Sequence, residues 1–180
     1  MPRWVVLLRG VNLGRANRVA MPALRDALAE AGFTAVRTHA QSGNIVLESD
    51  GKAAEVAACV ARVLKERFAL DVPAVARTAE ELAGVVAANP LAAEAARDPR
   101  RLQVTFGEAA VEPAALAALR ARAGAGELIS ARGRELYSWH PQGIAGSKLA
   151  LALTPRGSSA TARNWLTVTA LRDLAAEGER

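Results

Sequence analysis

Arginine, asparagine and glycine gather between residues 9 and 18, where Arg9, Gly10, Asn12, Gly14, Arg15, Asn17 and Arg18 follow an apolar run. Glycines let backbone amides approach an anion, and Arg and Asn side chains orient oxygen-rich groups. The spacing is neither the Walker A ending in Gly-Lys-Ser/Thr nor the Rossmann glycine pattern. The loop therefore reads as a tight polar connection or as part of a ligand site. A second group, "THAQSGNIV", holds His39, Gln41, Ser42 and Asn44 around Gly43. Gly43 and Asn44 shape a turn, and the polar side chains can touch a ligand. Ser42 and His39 lack the oriented acid partner and nucleophile elbow that an activated serine needs.

The third group is "SWHPQGIAGSKLAL". His140 precedes Pro141, which favours an extended or turn conformation. No second metal ligand stands near it, so no metal is expected. Lys148 is one of only three lysines in the chain, which makes it a candidate point charge for a phosphate or carboxylate as well as an ordinary surface residue. The fourth group is "SSATARNWLTVTALRDLA", Ser158 to Ala175. It predicts a helix beginning near Ser159 to Thr161, with Ser158, Ser159 and Thr161 as competing N-caps and Trp165, Val168, Leu171, Leu174 and Ala175 as its apolar side. Arg163, Asn164 and Thr167 then share a polar flank, where an arginine close to exposed helix amides holds an anion or makes an interdomain bond. No Asp or Glu stands among the polar residues singled out in these groups, so they support no acid–base chemistry and assign no reaction.

Positioning these residues requires alternating strands and helices. "RWVVLL" predicts a strand. "MPALRDALAEAGF" predicts a helix with Pro22 near its start and Gly32 near its end. Two strands flank "SG", and residues 53 to 68 form a second helix with Val56, Val60, Val63, Leu64 and Phe68 on one face. "VPAVAR" is a strand, and Thr78 with Glu81 makes a capping box before another helix. This order is that of a ferredoxin-like α+β unit over residues 1–89. Pro90 and Pro99 mark a junction. A second small α+β unit follows over residues 99–180, with strands at "RLQVTF" and on either side of Arg132 and Gly133, and a helix after Pro113. "HPQGIAGSKLALAL" is ambiguous between a loop entering a helix and a strand.

Apolar residues make up 51% of the 180, enough for packed cores, although much of that fraction is alanine. The cores are expected to rest on Trp4, Val5, Val6, Leu7, Phe33, Ile45, Leu47, Phe68, Leu102, Val104 and Phe106. The net charge is +5, and all but three of the 23 basic residues are arginine. Such a surface attracts phosphate-containing ligands, but no zinc-finger spacing, basic block or RNP-like aromatic strand accompanies it. Cys59 is the single cysteine, which excludes a disulfide framework and a thiolate zinc site. It is expected to be a small buried hydrophobe. No signal peptide and no membrane span is recognisable, so a cytoplasmic protein without a membrane partner is expected.

"LLRGVNLG" at 7–14, "MPALRDALAEAGF" at 21–33, "VRTHAQSGNIVLES" at 36–49, "GIAGSKL" at 143–149 and "TARNWLTVTAL" at 161–171 together resemble the bacterial domain of unknown function 1697 family. The resemblance spans nearly the whole chain. It implies a cytoplasmic two-part α+β protein and supplies no reaction. The polar positions it marks are Arg9, Asn12, Gln41, Ser42, Gly43, Asn44, Lys148, Thr161, Arg163, Asn164 and Thr167. The family commonly reads Asn-Trp-Asn-Thr in its last motif, whereas Leu166 stands third here and lacks an amide's paired donor and acceptor. The segment from Lys148 to Thr161 is also shorter than is typical.

These observations converge on one expectation: a protein that binds a small anionic ligand between its two units. Arg9 and Arg163 hold the anion, Lys148 neutralises it, Asn12, Gln41, Asn44 and Asn164 orient its polar groups, and Ser42 and Thr167 complete the polar set. Nucleic-acid binding is the main alternative. The third is a structural or interaction protein whose polar motifs lock the units together. The ligand, any cofactor and the oligomeric partner are not specified by the sequence.

Overall fold

The structure is a computed structural model and describes residues 1–177. The chain divides into two compact units, Met1–Ala83 with Leu171–Arg180, and Gly84–Ala170.

In the first unit, β1 (Arg3–Leu8), α1 (Met21–Glu30), β2 (Thr34–His39), β3 (Asn44–Glu48), α2 (Ala53–Phe68) and β4 (Ala74–Thr78) follow one another. The sheet order is β2-β3-β1-β4, and every pair is antiparallel. Trp4, Val6 and Leu8 alternate along β1 and join Ile45 and Leu47 of β3 against one helical layer. That layer supplies Leu24, Ala27 and Leu28 from α1 and Val56, Val60, Val63 and Leu64 from α2. These are helix positions three and four apart, as a single buried face requires. Pro22 lies in the first turn of α1, where a missing N–H costs nothing. The β2–β3 turn needs Gly43: its φ is +78°, and a Cβ there would meet Leu8 Cβ and Val11 Cγ2 at 2.6 Å. Phe68 and Cys59 are half-buried at the margin of this core rather than inside it.

The helix α3 (Ala79–Ala87) begins at the capping box that the sequence predicts: Glu81 N–H donates to Thr78 Oγ1 at 3.0 Å, and Thr78 N–H to Glu81 Oε2 at 2.9 Å. The proline-marked junction is not a plain break, because it contains the short helix α4 (Ala92–Arg97).

The second unit then runs β5 (Leu102–Phe106), α5 (Pro113–Arg120), β6 (Leu128–Arg132), β7 (Glu135–Trp139), α6 (Lys148–Leu153) and β8 (Thr161–Asn164). Its sheet order, β6-β7-β5-β8, is again antiparallel throughout. Order of elements and order of strands therefore repeat those of the first unit, with β5 in the place of β1. The ambiguous segment is a loop entering α6, whose N-cap Ser147 accepts from Ala150 N–H at 2.9 Å.

The last motif departs from expectation. Residues Thr161–Asn164 are not the first turn of a helix but the edge strand β8, paired along β5. The helix α7 (Trp165–Ala176) starts only after them. The physical reason is a better cap: Asn164 Oδ1 accepts from Thr167 N–H at 2.9 Å, leaving the residues before it free to complete a four-stranded sheet. Val168, Leu171 and Ala175 are buried as the apolar side predicts.

Candidate functional site

In the first unit, Asn12 and Asn44 use most of their side-chain hydrogen-bonding capacity to fold their own loops. Asn12, at φ +53°, donates through Nδ2 to Val19 O at 2.9 Å and Gln41 O at 2.7 Å, and accepts at Oδ1 from Val19 N–H at 2.9 Å. Both ends of its amide thus brace the β1–α1 loop against the β2–β3 turn. Asn44 is fully buried; its Nδ2 donates to His39 O at 3.0 Å and to Ser42 Oγ at 3.2 Å, closing the hairpin. Asn12 and Gln41 line an open hollow of about 490 Å³ with Arg18, Val19 and Ala20. Arg9 lies half-buried just after β1, its backbone N–H donating to Pro73 O at 3.0 Å.

In the second unit, Arg163 on β8 is only 8% exposed. Its guanidinium folds back onto its own strand, donating to Thr161 Oγ1 at 2.7 Å and to Ala162 O at 2.8 Å. Burial lowers its pKa to about 10, which still leaves it charged at neutral pH. The structure brings Asn164 and Thr167 together as the cap of α7. In the strand arrangement Arg163 precedes that cap instead of lying over the helix amides.

Lys148 stands apart from these. It opens α6, is exposed, and lines a hollow of about 740 Å³. Arg122, Gly124, Glu127, Gln142, Gly146 and Ser147 line the same hollow. Among the described residues neither Lys148 nor Arg122 has a carboxylate partner.

Behind this hollow lies a polar network absent from the sequence expectation. His140 is fully buried; its Nδ1 lies 2.7 Å from Glu127 Oε1 and its Nε2 2.8 Å from Ser138 Oγ. An ionised carboxylate only accepts, so Nδ1 carries the proton, and in the neutral ring Nε2 accepts from Ser138. Ser147 Oγ donates to Glu127 Oε1 at 2.6 Å, and Gly124 N–H donates to Glu127 Oε2 at 2.8 Å. Burial works to raise the Glu127 pKa. The bonds from Ser147, Gly124 and His140 outweigh it and hold the carboxyl below its ordinary range. Three donors wrap this one carboxylate, so its oxygens are occupied inside the protein, while Arg122 and Lys148 line the hollow. Ser138 is sealed at 0% exposure and cannot reach a substrate, which distinguishes the line Ser138–His140–Glu127 from a hydrolytic triad despite similar distances. Among the described residues no group of three or more His, Cys, Asp or Glu stands where it would hold a metal ion, and no helix is long and apolar enough to cross a membrane.

Sequence reasoning missed Arg122, Glu127, Ser138 and Ser147. Glu127 lies 13 residues from His140 and 20 from Ser147, in turn-rich connections where no periodicity links them. The one available signal was the polar pair Ser138 and His140 set among apolar and aromatic residues in "ELYSWHP".

The model of the family described as "Protein of unknown function (DUF1697)" matches residues 1–137, most of the chain. The chain belongs to this family. The match to DUF1697 runs through Tyr137; His140, Lys148 and the strand carrying Arg163 lie beyond it. Among solved structures the chain is similar to the "conserved bacterial protein SP0830 from Streptococcus pneumoniae", at TM-score 0.77 and 19% identity, covering 97% of this chain and 98% of that one. That likeness supports the two-unit fold over its full length. No curated protein matches the chain.

Proposed function

We propose that this DUF1697 protein binds a small anionic ligand, and that the anion sits in the second unit against Lys148 and Arg122. What carries the reading is the pair of exposed, unpaired cations lining one concave surface of about 740 Å³. A hollow of that size is ordinary for a small-molecule site. The neighbouring carboxylate, Glu127, keeps its charge, but its oxygens are occupied by Gly124 N–H, His140 and Ser147, and it makes no ion pair with either cation. Gln142 offers further polar contact in the same lining. Asn12, Gln41, Ser42, Asn44, Asn164 and Thr167 serve in this reading as braces of turns and caps, and Arg163 as the buried end of β8. On the fold, we read the first unit as ferredoxin-like, supported by its β-α-β-β-α-β order and its antiparallel β2-β3-β1-β4 sheet.

The test is a backbone-amide NMR titration of the full chain with inorganic phosphate at low ionic strength. Two solvated cations give weak binding, with Kd on the order of 1 mM. Saturating shifts confined to Arg122–Gly124 and Ser147–Lys148 are the expected result. Shifts scattered evenly over exposed arginines, with no saturation, would refute the assignment.

A further inference from the structure

A second hollow, of about 640 Å³, is lined by Arg122 and Lys148 as well. Its other walls are Ala115, Ala118, Leu119, Leu151, Ala152 and Pro155, all apolar. The two hollows therefore meet at the same pair of cations, one side polar and the other not.

The apolar side is only partly covered within its unit: Leu119 packs half-buried against the Ile129, Leu149 and Leu153 cluster, while Ala115, Ala118 and Leu151 stay exposed. The helix α5 reads PAALAALR, and none of its residues is buried. On α6, Leu149 and Leu153 lie four apart and turn inward, and this places Leu151 on the opposite face, 72% exposed. A single exposed leucine requires no explanation. One that walls a concave apolar groove ending at two unpaired cations calls for a ligand of matching chemistry.

We infer that these two hollows accept one amphipathic anion. Its carboxylate or phosphate-monoester head is held by Arg122 and Lys148, and an apolar arm of several carbons lies between α5 and α6. The inference rests on the anion reading above and adds the arm. A second copy of the chain fits less well, because a symmetric contact through this face would bring Arg122 and Lys148 toward their own counterparts, and like charges repel. Nucleic acid supplies phosphates but no flexible apolar arm.

The experiment is calorimetric titration of the full chain with acetate, octanoate, octanol, inorganic phosphate and octyl phosphate. Half-covering a methylene is worth roughly twofold in affinity, so octanoate, with six more methylenes, is expected to bind about 60-fold tighter than acetate, with octyl phosphate exceeding phosphate by at least that factor. Octanol, lacking the charge, is expected to bind at least about 10-fold more weakly than octanoate. Leu151→Ser reduces octanoate affinity about 5-fold with an unchanged melting curve, as its exposure allows. If acetate and phosphate bind but the octyl compounds gain nothing, the arm is wrong and the anion reading stands. If none of the five binds, both fall. Octanol matching octanoate, or binding only to phosphatidylglycerol vesicles and not to free octanoate, would equally overturn the inference.

Discussion

Val6 in the first unit and Thr105 in the second occupy matching places. Val6 pairs with Ala76 on β4 and Ile45 on β3; Thr105 pairs with Ala162 on β8 and Leu136 on β7. One step along, Val5 faces the buried Arg77, and Val104 faces the buried Arg163. Each arginine donates to the carbonyl just before it, Ala76 O at 2.9 Å and Ala162 O at 2.8 Å. Each also precedes a residue that caps the next helix, Thr78 or Asn164. The same scaffold therefore recurs with different fillings. The first unit buries a large apolar cluster under a 16-residue α2. The second has a 6-residue α6, smaller apolar clusters around Leu102 with Trp139 and around Leu149 with Leu153, and a buried polar pair, His140 and Ser138. The cation-lined hollows lie beside this short helix, walled by α5, α6 and the connections that precede β6 and α6.

The comparison breaks most readily at the apolar core. Leu28→Ala in the first unit removes a fully buried side chain from the single cluster, and urea unfolding is expected to show a loss of about 3 kcal/mol. A loss under about 1 kcal/mol would contradict the tight packing of this cluster. Next comes the polar filling. Glu127→Gln is expected to cost about 2 kcal/mol at neutral pH, since it weakens bonds made to a charged acceptor. The sign with pH follows from the depressed pKa of Glu127. The unfolded chain binds the proton more readily, so the stabilisation is present above about pH 4.5 and is lost as pH falls through the lower folded value. Unfolding curves of the two proteins should converge in acid; a constant gap at all pH would remove Glu127's charge from the account.

Smaller effects sharpen the repeat itself. Asn164→Ala deletes the cap of α7 and is expected to lower stability by about 1 kcal/mol, and Thr78→Ala should do nearly the same at α3. Unequal losses would show that the two caps are not equivalent. Thr105 Oγ1 is buried without a hydrogen-bond partner, one of two such side-chain atoms among the described residues. Replacing it by the valine found at the matching place in the first unit is expected to stabilise by up to about 1 kcal/mol. A destabilised Thr105→Val variant would signal a partner for that hydroxyl.

Much of the scaffold is legible in the sequence because it is periodic. The four-residue spacing of α2, the alternation in β1 and the Thr78–Glu81 box each mark an element through local chemistry. The β8–α7 junction is not legible in the same way. Ser158, Ser159, Thr161 and Asn164 all offer plausible caps, and the choice falls to Asn164 because β5 has an open edge that only Thr161–Asn164 fills. Nothing local encodes that edge. The candidate site fares worse for a related reason: Arg122 and Glu127 come from the α5–β6 connection and Ser147 and Lys148 from the entry to α6, and their meeting is a property of the sheet order. Of the four, only Lys148 is conspicuous by type. Asn12 and Asn44 stood out as polar, but their amides turn out to be consumed by backbone groups.

The central claim is that the second unit's cations, and not those of the first, hold the anion. It is tested most directly by titrating inorganic phosphate into the wild type, the double variant Arg122→Ala/Lys148→Ala and Arg18→Ala. All three positions are exposed, so the fold should be retained. The account predicts at least about a 10-fold loss of affinity in the double variant and no change for Arg18→Ala. Equal binding in the wild type and the double variant, or loss on replacing Arg18 alone, would contradict it.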